Sequence, residues 1–254
     1  MATFVQTAQE LFSGGTRLTC FTNSITLEMS ADPVEMTTYC SSGAREYRQG
    51  LKTWQLQASG YADHAASTAH TTAIPTGEEV IPTNLGSIRA LTVCPLSGTE
   101  GNAAYIAGGF MSSMVPIGGT VGDMAPYSFT AVPTAAQFGH RIARGILEAN
   151  RTVTTSSNTT GSNTLGAVSA TQYICANLHV FTLTSGASLT VIVESDDNSG
   201  FTTPTTRLSF TAASTRSGEY KEAAGAITDT YWRAKWTISG TTPSVAFACA
   251  IGIR

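Results

Sequence analysis

SVAFACAIGI, residues 244–253, decides the fold class. Strict alternation puts Val245, Phe247, Cys249, Ile251 and Ile253 on one face of an extended chain and Ser244, Ala246, Ala248, Ala250 and Gly252 on the other. That period of two belongs to a β-strand and not to a helix. YWRAKWTI, residues 231–238, repeats it, sorting Trp232, Ala234, Trp236 and Ile238 from Tyr231, Arg233, Lys235 and Thr237, an inside face and a solvated face. With the apolar runs at 174–180, 189–193 and 207–211, these segments predict an antiparallel sandwich over 164–254 that folds on its own.

Working back from that end, the stretch TVTTSSNTTGSN at 152–163 carries no periodic apolar signal and reads as a linker, which divides the chain into domains 1–151 and 164–254. The first domain is a series of short strand-like runs, 24–29, 34–39, 53–61, 85–94, 105–110 and 127–132, each bounded by Gly, Pro, Asn or Ser. Asp32-Pro33 predicts a hairpin turn between the first two runs. That hairpin pairs Ile25, Leu27 and Met29 with Val34 and Met36 and leaves Glu28 and Glu35 on the opposite, polar face. Residues 64–73, rich in Ala, Thr and His, predict one short helix.

Composition agrees with an all-β class. Hydrophobic residues make up 42% of the chain and charged residues only 12%, against about 25% in ordinary domains. Thr, Ser, Gly and Ala fill the difference, residues suited to pleated surfaces and tight turns. The formal net charge of -3 gives no general attraction to nucleic acid or to an anionic membrane. Residues 1–150 carry eleven acidic and seven basic side chains and the remainder six and seven, so the mild acidity lies in the first half.

Five widely spaced cysteines, Cys20, Cys40, Cys94, Cys175 and Cys249, form no C-x-x-C pair and read as reduced, mostly buried thiols. Residues 1–6 lack a basic segment followed by an apolar one, and nowhere do 18 apolar residues run together. The expectation is a chain made and kept in a cytosol, with no membrane span.

Catalytic chemistry needs convergent titratable groups, and the inventory is thin. Asp63-His64 and His70 could be drawn as a hydrolytic or metal site, but no third ligand lies at helical or hairpin spacing, and a surface loop is the plainer reading. His140 and His179 read as hydrogen-bonded structural histidines. Gly108-Gly109 and Gly118-Gly119 frame FMSSMVPI, which lacks the Gly-Lys-Ser/Thr ending of a phosphate loop. It is either a partner-contacting hairpin or a buried strand with glycine turns. Ser195-Asp196-Asp197-Asn198-Ser199-Gly200 resembles half a calcium loop without the bidentate Glu, and reads as a turn between strands. Trp232 and Trp236 share a face with Ile238 and read as core. No enzyme, metal site or cofactor is expected.

The segment NSITLEMSADPVEMTTYCSSGAREYRQGLKTWQLQASGYAD, residues 23–63, resembles the major tail tube proteins of long-tailed, non-contractile (siphovirus-type) bacteriophages. LGAVSATQYICANLHVFTLTSG, VIVESDDNSGF and ITDTYWRAKWTISGTTPSVAFACAIGI look like the C-terminal sandwich of some phage tail proteins. The resemblance implies a tail-tube-type β-sandwich or barrel with long loops, and a structural virion protein. It further implies assembly in the bacterial host cytoplasm as hexameric rings stacked into a tail tube, beside tape measure, tail terminator and tail tip proteins. Genomic DNA would pass through the tube without specific binding. On that reading Glu28, Asp32 and Glu35 face the lumen, where cations would grip phosphates. Arg45, Glu46 and Arg48, in the loop 41–50, meet the next ring, and 164–254 decorates the outside. Two other functions remain open: a capsid-decorating or tail-tip adhesin binding host-surface glycans through 164–254, and a polymer hydrolase built on Asp63 and His64.

Overall fold

The computed structural model describes residues 9–19, 22–61, 85–115, 118–120, 123, 126–134, 142–154 and 157–254. In chain order the strands are β1 (Glu10–Ser13), β2 (Thr16–Arg17), β3 (Thr22–Glu35), β4 (Tyr47–Tyr61), β5 (Ile88–Cys94), β6 (Ala103–Val115), β7 (Pro126–Pro133) and β8 (Ala143–Val153). There follow β9 (Ser157–Thr159), β10 (Asn163–Thr164), β11 (Tyr173–Leu183), β12 (Ser188–Asp196), β13 (Thr205–Ser209), β14 (Ser217–Ala224), β15 (Tyr231–Ser239) and β16 (Val245–Ile253). The chain is all-β, its named strand pairs are antiparallel, and the described residues contain neither an α-helix nor a closed barrel. The helix expected at 64–73 lies outside the described residues.

One sheet runs β14-β11-β16-β8-β6-β5-β1-β2 and branches at β6 into β7-β4-β3; a second runs β10-β15-β12-β13, with β9 also on β15. Three apolar cores separate the layers these strands make. The first lies between β4/β7 and β1/β5 and holds Trp54, Leu56, Phe129, Leu11, Leu91 and Val93. The second lies between β1/β5 and β11/β16 and holds Phe12, Cys94, Cys175, Ala248 and Ala250. The third, between β11/β16 and β12/β15, holds Leu178, Val191, Trp232, Trp236 and Phe247.

The alternation of β16 therefore has a second meaning. Its large face fills the third core as read from the sequence, but its small face is buried too, Ala248 and Ala250 being inaccessible to solvent. Small side chains on that face allow a whole layer to approach from the other side, which a strand of uniformly large residues would prevent.

Three expectations are corrected. First, no hairpin turns at Asp32-Pro33. β3 runs straight through it and pairs with β4 from Thr22↔Gly60 to Glu35↔Tyr47, with a register shift between Ala31 and Pro33. A proline has no N–H for a ladder and is tolerated at a bulge or on an edge, and Pro33 has both. Second, part of 152–163 is strand: Ser157, Asn158 and Thr159 pair with Thr237, Trp236 and Lys235. Third, β8 begins before that stretch, ends within it at Val153, and pairs along β16 from Val153↔Val245 to Arg144↔Ile253, and Ala149 and Val153 belong to the third core. The C-terminal sandwich thus draws a strand from the N-terminal side of the expected linker.

Candidate assembly surface

β3 and β4 begin inside the first core and leave it. On β4, Trp54, Leu56 and Ala58 are buried; outward from Thr53 to Tyr47 every residue is exposed except Gly50, which is half-buried. On β3 all residues from Glu28 to Glu35 are exposed. The two strands thus continue past the body as a ribbon, closed by the Met36 N–H donating to the Glu46 carbonyl at 2.8 Å. At its tip the turn reverses through Ser42 and Gly43, at φ of 50° and 82°, the left-handed region that glycine enters without a Cβ clash. The loop expected at 41–50 is correspondingly shorter, because Tyr47 to Gly50 are strand.

The arm is apolar for a surface feature. Met29, Val34, Met36, Tyr39, Tyr47 and Leu51 are six of the twelve large hydrophobic side chains exposed among the described residues, with Leu51 at 80% and Met29 at 63%. Beyond residue 115 only Tyr173 joins them. Soluble monomers rarely concentrate so many large apolar side chains on one exposed element. Burying one is worth roughly 1.5–3 kcal/mol, so covering the six gains on the order of 10 kcal/mol, comparable with the cost of associating two molecules.

The outer edge of β3 has no partner strand, since β3 pairs only with β4. Fourteen residues at about 3.3 Å each give an open ladder of roughly 46 Å. Proteins guard such edges by shortness or by charge, lysine above all. The other sheet ends follow that rule: β2 has two residues, β13 five, and β14 carries Glu219, Lys221 and Glu222. β3 is guarded only in part: Pro33 and the register shift beside it interrupt the arm end and Glu28, Asp32 and Glu35 add negative charge, but the strand is long and has no lysine or arginine.

The face of this sheet turned away from the core is polar and almost uncharged. The register Ser24↔Ser59, Thr26↔Gln57, Glu28↔Gln55 and Ser30↔Thr53 sets eight polar residues side by side. β7 extends the face with Ser128 and Thr130, opposite Ser59 and Gln57. Glu28 is its one ionisable group, and Asp32 follows on the same side toward the arm. Glu35, paired with Tyr47, falls by alternation on the side of Leu27 and Met29, not with Glu28. Arg45, Glu46 and Arg48 are exposed on the arm, and among the described residues none of them makes an ion pair.

Elsewhere the predicted candidates resolve into structure. Asp63, His64, His70 and His140 lie outside the described residues. His179 is fully buried. Its Nδ1 donates to the Gly14 carbonyl at 2.7 Å, and Nε2 lies 2.8 Å from the Thr92 hydroxyl. Asn177 beside it donates to the carbonyls of Leu91 and Ala107. Burial, partly offset by the bond to Gly14, lowers the His179 pKa to about 4, so the ring is neutral at pH 7. These bonds tie β11 to the turn between β1 and β2, to β5 and to β6 across the second core.

Trp232 and Trp236 are buried in the third core. Asp196 accepts from the backbone N–H of Asn198 and Thr203, closing the turn after β12. Gly108 and Gly109 lie buried within β6, and a Cβ at Gly109 would overlap the Val132 carbonyl and the Trp54 ring. Cys94, Cys175 and Cys249 are buried free thiols, whereas Cys40 is exposed on the arm. Among the described residues no cluster of His, Cys, Asp and Glu could hold a metal, and no helix is long and apolar enough to cross a membrane.

Sequence reasoning missed Glu148. It is buried, where the Thr160 hydroxyl and the Asn163 amide donate to its two oxygens. Burial, partly offset by those bonds, raises its pKa to about 7.

No family model matches the chain, and no curated protein matches it in sequence. Among solved structures it is similar to a chain in the virion of a native gene transfer agent particle, at 16% identity over 46% of this chain and 82% of that one, with a TM-score of 0.33. A chain in the tail of an empty particle of the same kind stands at 15%, over 46% and 81%, with 0.33. The crystal structure of the SPP1 Dit (gp 19.1) protein, described as a paradigm of the hub adsorption apparatus in phages infecting Gram-positive bacteria, aligns over 97% of this chain and 99% of its own. Its identity is 10% and its TM-score 0.36.

Proposed function

We propose that the chain is a structural subunit of a phage tail, assembling as hexameric rings that stack into the tube conducting DNA from capsid to host. The observation that carries this reading is the long, open edge of β3, which lacks any lysine or arginine, beside an apolar arm. An edge of that length is a template for another strand. A ring of copies, each completing its neighbour's sheet, removes every edge by closure, as a barrel does. Within this reading the strands before β8 build the ring and the sandwich completed by β8 decorates its outside, in keeping with the exposed apolar side chains of the described residues being concentrated before residue 116.

The polar face of β3, β4 and β7 suits the bore. Each phosphate neutralised by a lysine or arginine adds to affinity through counterion release, and a wall of Ser, Thr and Gln with Glu28 offers no such cation. Glu28 and Asp32 stand toward that bore in this reading, and Arg45, Glu46 and Arg48 contact neighbouring subunits.

Hydrogen exchange across an assembly series tests the edge. The β3 amides that point away from β4 are expected to exchange fast in dilute protein and slow down on assembly, while those of β14 stay unchanged. Equal exchange of β3 in both states would rule out edge pairing. For the bore, Glu28→Lys with Thr26→Lys is expected to leave assembly intact and slow DNA ejection by at least tenfold; ejection at the parental rate would place this face elsewhere.

A further inference from the structure

We infer that the tip of the arm of one copy docks into an apolar groove at the base of the arm of a second copy. The inference deepens the assembly reading and rests on it, but it names a contact that edge pairing does not require.

The groove has a volume of about 410 Å³ and is lined by Ile25, Leu27 and Met29 from the base of β3 and by Val93, Leu96 and Tyr105 from the body. Leu96 is itself an exposed apolar side chain. Arg144 also lines the groove, and among the described residues it has no ion-pair partner. A groove of this size and lining suits one or two large side chains with a polar anchor beside them.

The tip supplies the complement. Met36 and Tyr39 are exposed at 44% and 109%, and no third strand supports the ribbon that carries them. Glu46, whose carbonyl accepts the hydrogen bond that closes the ribbon, has no cation partner among the described residues. Glu35 already accepts the Thr37 hydroxyl at 2.8 Å, which leaves Glu46 as the carboxylate the tip offers. A carboxylate from the tip beside Arg144 would satisfy both charges in a partly desolvated setting, where a pair counts for more than on an open surface.

The occupant comes from another copy for a geometric reason. From Met29 to Glu35 the ribbon runs seven residues of continuous strand, about 23 Å at 3.3 Å each, away from the groove at its own base. Tip and groove are different surfaces of one molecule, so the contact is heterologous and passes from copy to copy until it closes or extends. It also adjoins the β3 edge, because Ile25, Leu27 and Met29 belong to that strand. A neighbour paired on the edge therefore lies against the groove.

Cys40, the exposed thiol at the tip, gives the test. In full-length protein with Cys20→Ser, a benzophenone maleimide on Cys40 is photolysed after assembly and the cross-linked peptides are mapped. Cross-links between copies to 93–105 or 25–29 are expected. Cross-links only within one chain, or only to other parts of a second copy, would overturn the docking while leaving ring formation standing. Absence of any oligomer would sink both. As a second measurement, Arg144→Glu is expected to weaken assembly at least tenfold, and adding Glu46→Arg to restore it; failure of rescue with the fold intact contradicts the pairing.

Discussion

Two buried groups carry opposite pH signatures. Glu148 is raised from 4.5 to about 7, so the folded state holds its proton better than the unfolded chain does. Its contribution to stability is full below 4.5 and is lost as pH rises through 7. His179 is lowered from 6.5 to about 4, so its contribution is full above 6.5 and is lost as pH falls through 4. Between 4.5 and 6.5 the two slopes oppose each other. Glu148→Gln should leave the histidine slope exposed, so that stability by urea denaturation rises by about 3 kcal/mol from pH 4 to 6.5 where the parent changes little. Identical pH profiles for variant and parent would contradict this. His179 was legible as a structural histidine because it interrupts an apolar strand. Glu148 was not, since the bulge that turns it inward, between Cys249↔Ala149 and Ala250↔Leu147, leaves no trace in the sequence.

The β3–β4 ribbon has a core end and an arm end, and substitutions should separate them. Trp54→Ala empties a site in the first core and should cost about 3–5 kcal/mol. Gly109→Ala, which pushes on that same ring, should cost about 1–3 kcal/mol. Tyr39→Ser with Leu51→Ser should change the stability of the dilute protein by less than about 0.5 kcal/mol while sharply reducing association. Thermal melts at low concentration, paired with sedimentation at high concentration, read both quantities. A large stability loss from the arm variant would mean that these side chains already pack within one molecule. The strands themselves were visible in the alternation of Trp54, Leu56 and Ala58. Asp-Pro is a strong local turn signal and points to the wrong connection, because the pairing of 22–35 with 47–61 overrides it with a register shift at that point.

Across the whole molecule the all-β class was legible from period and composition, but the layering was not. A strand buried on both faces shows a large face and a small face, and Ala248 and Ala250 read as a quiet exterior until a second layer covers them. The same seam decides how the chain can be cut. A fragment of 164–254 lacks β8, and with it Ala149 and Val153 of the third core. It should fail to give a cooperative melt, whereas 143–254 should fold and be prone to associate through its uncovered small-residue face. Equal folding of both fragments would show that β8 is dispensable. Adhesion assays on the C-terminal sandwich therefore call for the longer piece. Assembly itself is most directly read by negative-stain imaging of the purified full-length protein over a concentration series. Closed six-fold rings with an open bore, lengthening into tubes, are the predicted result; single compact particles at the highest concentration would contradict the account.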